Sequence, residues 1–164
     1  MLYNRNINIY RTMKKLNYLI IAFALLIVSG NVSAQQSSMY IKKTVTGDFN
    51  QVVEKVVSDF KAVRFGVITN IDMDKTLEEK LDVDLKPYKI LGICNPGFAY
   101  KAMQAEPNIG VFLPCKVIIK QLEGNQVEVV SSNPSELMKI LKNKELDNLA
   151  REVTSDIKSV IENL

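Results

Sequence analysis

Two cysteines, Cys94 and Cys115, are the residues of this chain whose type and setting best suit chemistry. Cys94 ends the apolar run Tyr88–Cys94 and is followed at once by Asn95-Pro96. Asparagine is a capping residue, and proline fits the first helical position, where its missing N–H costs nothing. The free N–H groups and positive end of such a helix favour a thiolate, so the spacing predicts a lowered pKa and a reactive sulfur at Cys94. Cys115 follows Pro114 and alternates with Leu113, Val117 and Ile119, which predicts an apolar face and a neutral thiol. Three readings of the two remain open. They are inert packed thiols, a structural disulfide, or a working pair that is redox-active or holds a soft metal ion. A disulfide would close a loop of 20 intervening residues. It would stabilise the fold by about 3 kcal/mol where the geometry fits. The spacing is not that of a CxxC motif.

Histidine and tryptophan are absent from the chain. Ser-His-Asp and Cys-His catalysis, histidine-held zinc or haem, and imidazole acid–base work are therefore excluded. Glu106-Pro107 marks a helix end, and a carboxylate there could act as acid or base toward Cys94 if the fold brought them together. Gly92 to Gly97 holds two glycines near a helix start but lacks the lysine of a phosphate loop, so a tight strand-to-helix turn accounts for them. Glu78, Glu79, Asp82 and Asp84 form an acidic cluster without EF-hand spacing, which predicts a solvated helix face. No metal ligand set is assigned, and the cofactor is unknown.

The elements that must position the cysteines lie behind an export signal. Residues 1–34 combine Arg5, Arg11, Lys14 and Lys15, an apolar run from Leu16 to Gly30, and Val32-Ser33-Ala34 before a cut at Gln35. Met13 is an equally good start. Fifteen apolar residues are short of the ~20 that cross a bilayer, so cleavage is expected rather than anchoring. The segment takes four basic residues and no acidic one from totals of 21 and 18, leaving 17 against 18, net −1. A near-neutral domain lacks the basic footprint of a nucleic-acid binder. The expected product is periplasmic or extracellular, without a membrane role after cleavage.

Residues 35–39 read as a polar leader and residues 40–164 as a single α+β domain. Tyr40–Thr46 is predicted as a strand. Asp48 caps a helix whose apolar positions, Phe49, Val52, Val56, Phe60 and Val63, recur every three or four residues. A strand over Phe65–Asp72, a short helix over Asp74–Leu81 and the strand Tyr88–Cys94 follow. Next come a helix to Ala105 and the longest strand, Val111–Leu122, turned by Glu123-Gly124-Asn125 into Gln126–Ser131. Asn133-Pro134 repeats the cap-plus-proline signal. The final helix carries Leu146, Leu149, Val153, Ile157, Val160 and Ile161 on one face. Mixed order with a hairpin indicates α+β rather than a doubly wound parallel sheet.

Three segments carry a resemblance. They are Tyr88-Lys-Ile-Leu-Gly-Ile-Cys-Asn-Pro96, then Ala99-Tyr-Lys-Ala-Met-Gln-Ala-Glu-Pro-Asn-Ile-Gly110, then Leu113-Pro-Cys-Lys-Val117. Together they resemble the bacterial family known as domain of unknown function 302, over about residues 40–164. The resemblance implies a TATA-binding-protein-like architecture, a curved mostly antiparallel sheet packed against helices. It marks Cys94, Asn95, Pro96, Glu106, Pro107, Pro114 and Cys115 as motif residues and implies no activity. The chain departs at Gly97 and at Tyr100, where the family often carries a histidine, which weakens ligand binding through that position. The leading expectation is an exported module that binds an unknown small ligand or metal ion, or responds to redox state, through Cys94 and Cys115. Asn95, Pro96, Glu106 and Pro114 would support that site. The alternative is a structural or protein-interaction domain whose cysteines are buried or disulfide-linked. Whether the protein is an enzyme stays undecided.

Overall fold

The computed structural model describes residues 39–164, which belong to one compact unit. The expected signal segment and nearly all of the polar leader lie outside the described residues. Five strands form one antiparallel sheet: β1 (Tyr40–Thr46), β2 (Gly66–Asp72), β3 (Tyr88–Cys94), β4 (Cys115–Gln121) and β5 (Gln126–Ser132). Their spatial order is β1-β5-β4-β3-β2. Between and after them run α1 (Phe49–Ala62), α2 (Met73–Leu81), α3 (Pro96–Ala105), α4 (Pro134–Leu137) and α5 (Lys144–Glu162). Single 3-10 turns at Ile109–Phe112 and Met138–Leu141 complete the chain.

The local signals explain these elements. Asp48 accepts the Gln51 N–H at 3.0 Å and starts α1, whose buried residues are Val52, Val56 and Phe60. Gly124, at φ +60°, makes the β4–β5 turn that a side chain would strain. One expectation needs correction. The strand predicted from Val111 to Leu122 begins only at Cys115 and is no longer than its neighbours. Residues Ile109–Phe112 wind into a 3-10 turn, and Pro114 has no N–H to give a ladder, so pairing starts one residue later. Asn133 also departs from its expected role. Its side chain does not cap α4 but accepts from the Ser135 and Thr154 hydroxyls, at 3.0 and 3.2 Å.

The two faces of the sheet differ. On the inner face Leu91, Ile93, Val117, Ile119, Val127 and Val129 pack with Val56 and Phe60 of α1 and Ile157 and Ile161 of α5. All are essentially buried, and each contributes about 1.5–3 kcal/mol by leaving water. A smaller cluster, Ile109, Met138, Leu146 and Ala150, lies beneath the two 3-10 turns. On the outer face the register aligns Ile71, Ile90, Ile118, Val130 and Lys42 in a single row across all five strands. None of those four apolar residues packs against either cluster.

Candidate functional site

The register sets the two cysteines on adjacent strands, one step apart. Cys115 pairs with Ile93, and Cys94 pairs with Gly66 on the other side. Strict alternation would send them to opposite faces. Cys94 is the last residue of β3, however, where the chain turns into α3, and both cysteines line one cavity. That cavity holds about 80 Å³, the share of two or three waters at ~30 Å³ each. Its wall is almost wholly apolar. Phe65, Ile93 and Val153 come from the main core, and Ile109, Met138 and Leu146 from the smaller cluster, so the cavity lies on the seam between them. Asn95 and Ser132 are the polar side chains in its lining besides the thiols.

Both cysteines are free thiols and half-buried, so the disulfide reading does not describe this structure. Burial pushes the Cys115 thiol up to about 11, and the neighbouring Cys94 adds to the rise because two thiolates would repel. Burial also raises Cys94 above the usual thiol range. This reverses the expectation of a thiolate at the helix start. Asn95 caps α3, accepting the Gly97 and Phe98 N–H groups at 3.0 and 3.4 Å. The first-turn donors that would have stabilised a sulfur anion are thus given to an amide oxygen, and desolvation dominates at Cys94. Near neutral pH the pair is a pair of neutral thiols.

The supporting residues divide. Asn95 caps α3 and lines the cavity, and Pro96 occupies the first turn of that helix. Pro114 precedes β4 through a cis bond from Leu113. Glu106 is not brought to Cys94. It ends α3, its carboxylate accepts the Asn108 N–H at 3.1 Å, and it does not line the cavity. Gly92 is likewise corrected: it sits inside β3 rather than in a turn. A Cβ there would collide with Thr69 Oγ1 and lie 2.5 Å from the Pro114 ring. Gly92 therefore lets β3 close tightly on Thr69 of β2 and on the Pro114 ring at the approach to β4. The acidic residues Glu78, Glu79, Asp82 and Asp84 are exposed, and no cluster of three or more metal-binding His, Cys, Asp or Glu side chains occurs among the described residues.

Sequence reasoning missed most of the cavity wall, including Phe98, Phe112, Leu137 and Met138. These residues come from four separate turns and helices, and no single periodicity gathers them.

A five-stranded antiparallel sheet with two long helices on one face and a thiol-lined apolar cavity at one end of its inner strands defines a small α+β domain. Residues 41–164 match the family model described as "Domain of unknown function DUF302", and the chain belongs to that family. A solved structure of similar fold is the uncharacterized conserved DUF302 protein from Bacillus stearothermophilus. It has 23% identity and a TM-score of 0.72, over 77% of this chain and 98% of that one. At that identity the likeness speaks for the fold alone. No curated protein matches the chain.

Proposed function

We propose that the protein is an exported binding module that takes a small thiophilic ligand, a soft metal ion or an apolar electrophile, between Cys94 and Cys115. The observation that carries this reading is the shared cavity. Two thiols separated by 20 residues in sequence line one small apolar space, where Cys94 also opposes the ionisation of Cys115. Neutral sulfur in an apolar wall suits soft partners and disfavours hard, strongly hydrated ions. The same environment gives no acid or base positioned for turnover, which supports binding rather than catalysis. Because a metal ion must displace the thiol protons, affinity should rise with pH. The rival reading, an interaction domain whose thiols only pack, draws support from the small size of the cavity.

Silver(I) and iodoacetamide test the proposal together. Iodoacetamide labelling, read by mass spectrometry, should proceed at both thiols in the folded protein, faster at Cys94. Silver(I) should protect both thiols at one ion per chain, and Cys94→Ser should remove the protection of Cys115 while the fold persists. Independent protection of each thiol, or no protection, would overturn the proposal in favour of packing thiols.

A further inference from the structure

The thiol cavity has a charged neighbour. A second cleft, of about 480 Å³, adjoins it, and Asn95 and Phe98 line both. The charged residues of this cleft come from three elements: Arg64 from the turn after α1, Lys101 from the second turn of α3 and Asp156 from α5. Among the described residues the Arg64 and Lys101 side chains make no ion pair or hydrogen bond, with Asp156 or with any other group. Two cations against one carboxylate leave the cleft with positive charge in excess. The start of α3 adds nothing to it, because Asn95 already takes the Gly97 and Phe98 N–H groups.

We infer that the ligand of the thiol cavity is a small organic acid. Its carboxylate is held by Arg64 and Lys101, and its apolar or soft tail passes Asn95 and Phe98 to reach Cys94 and Cys115. This rests on the binding role proposed above for the cavity. The two spaces suit opposite ends of one molecule. A guanidinium presents a planar fork of donors that fits a carboxylate, and a lysine adds a mobile point charge. The cavity beyond is almost wholly apolar, and its 80 Å³ admits only a short tail. An apolar hollow with a few polar groups converging at one end is the usual make-up of a small-molecule site. Asp156 supplies selectivity, since its charge opposes a doubly negative head and so favours a carboxylate over a phosphate.

The role of Arg64 can be separated from the fold. It holds the left-handed position that closes α1, at φ 66°, where its N–H meets the Lys61 carbonyl at 3.0 Å and the Phe65 N–H meets the Phe60 carbonyl at 2.9 Å. Glycine is the ordinary residue at such a position, because a Cβ is crowded there. Asp82 and Lys142 adopt the same conformation, so it is no argument for a ligand. It does mean that Arg64→Gly should strengthen the fold while removing the guanidinium.

Iodoacetamide labelling of Cys94, read by mass spectrometry with hexanoate as the probe, tests the inference. Hexanoate should slow labelling saturably, by at least fivefold. Hexanamide, which has the tail without the charge, and acetate, which has the charge without the tail, should not slow it. Each variant is compared with its own rate in the absence of probe. Arg64→Gly should raise the urea midpoint and weaken hexanoate protection, Arg64→Gly/Lys101→Gln should abolish the protection, and Asp156→Asn should tighten it. Equal protection by hexanamide, or protection that survives the loss of both cations, overturns the carboxylate site. A lowered urea midpoint in Arg64→Gly makes Arg64 a structural residue and overturns its assignment. Silver(I) protection of the thiols without any hexanoate protection overturns this inference and leaves the cavity's binding role standing, whereas failure of both removes the two together.

Discussion

Raising the pH should destabilise this protein through Cys115. The thiol stands at about 11 in the folded chain against 9.0 for the free side chain. Its folded pKa is raised, so the stability it contributes is complete below pH 9 and is lost as the pH climbs through 11. A rise of about two pH units, at about 1.4 kcal/mol each, amounts to about 2–3 kcal/mol. Lysines and tyrosines titrate in the same range, so the measurement must be a difference. Urea unfolding of the wild type and of Cys115→Ala, followed from below pH 9 to above pH 11, supplies it. The variant carries a constant cost for its lost side chain, while the wild type carries the titration as well. The wild-type midpoint should fall toward that of the variant by about 1–2 M urea, given m-values of about 1–3 kcal/mol/M. Cys94→Ser removes the opposing neighbour, so it should move the window to lower pH. Parallel wild-type and Cys115→Ala curves across the window would refute the reasoning, because they would mean that the Cys115 thiol ionises equally easily folded and unfolded.

Three further outcomes are expected. Val117→Asp should cost about 4 kcal/mol or more, because Val117 is fully buried and the carboxylate would have no partner; chemical denaturation checks this. Gly92→Ala should destabilise by about 1–3 kcal/mol, since Thr69 and the Pro114 ring occupy the space its Cβ needs. Urea midpoints measure the loss, which a Thr69→Ala change should repair only in part because the Pro114 ring remains. Protein recovered from the periplasm or medium should begin at or within a few residues of Gln35 by intact mass, and a membrane fraction retaining residues 16–30 would contradict export.

Most of the fold was legible because its signals are local. The three-and-four spacing of Val52, Val56 and Phe60 names the buried face of α1 without any tertiary knowledge. The Asn95-Pro96 pair likewise locates the start of α3. The site was half legible. Alternation placed Cys115 toward the core, yet nothing local revealed that the chain bends after Cys94 and carries that residue to the same cavity. The error over the Cys94 thiol has a definite cause. The sequence offered a helix N-terminus, but the same Asn95 that announced the helix also uses its first donors. The overextended strand before Cys115 failed for a similar reason: Val111, Phe112 and Leu113 have strand-like composition, but the 3-10 turn they join packs Ile109 into a second cluster.

That second cluster has a kinetic meaning. It is small, rests on two single turns and the first part of α5, and contributes nothing to the sheet ladders. Segments of this kind open at a fraction of the free energy that unfolds a whole domain. Because the cavity lies on the seam, breathing of this cap would widen the way in to Cys115 while β3 and β4 keep their hydrogen bonds. Amide exchange around Met138 and Leu146 should therefore run on the same clock as alkylation of Cys115. The frequency of that motion, rather than the acidity of the sulfur, would then set how often the inner thiol meets the outside.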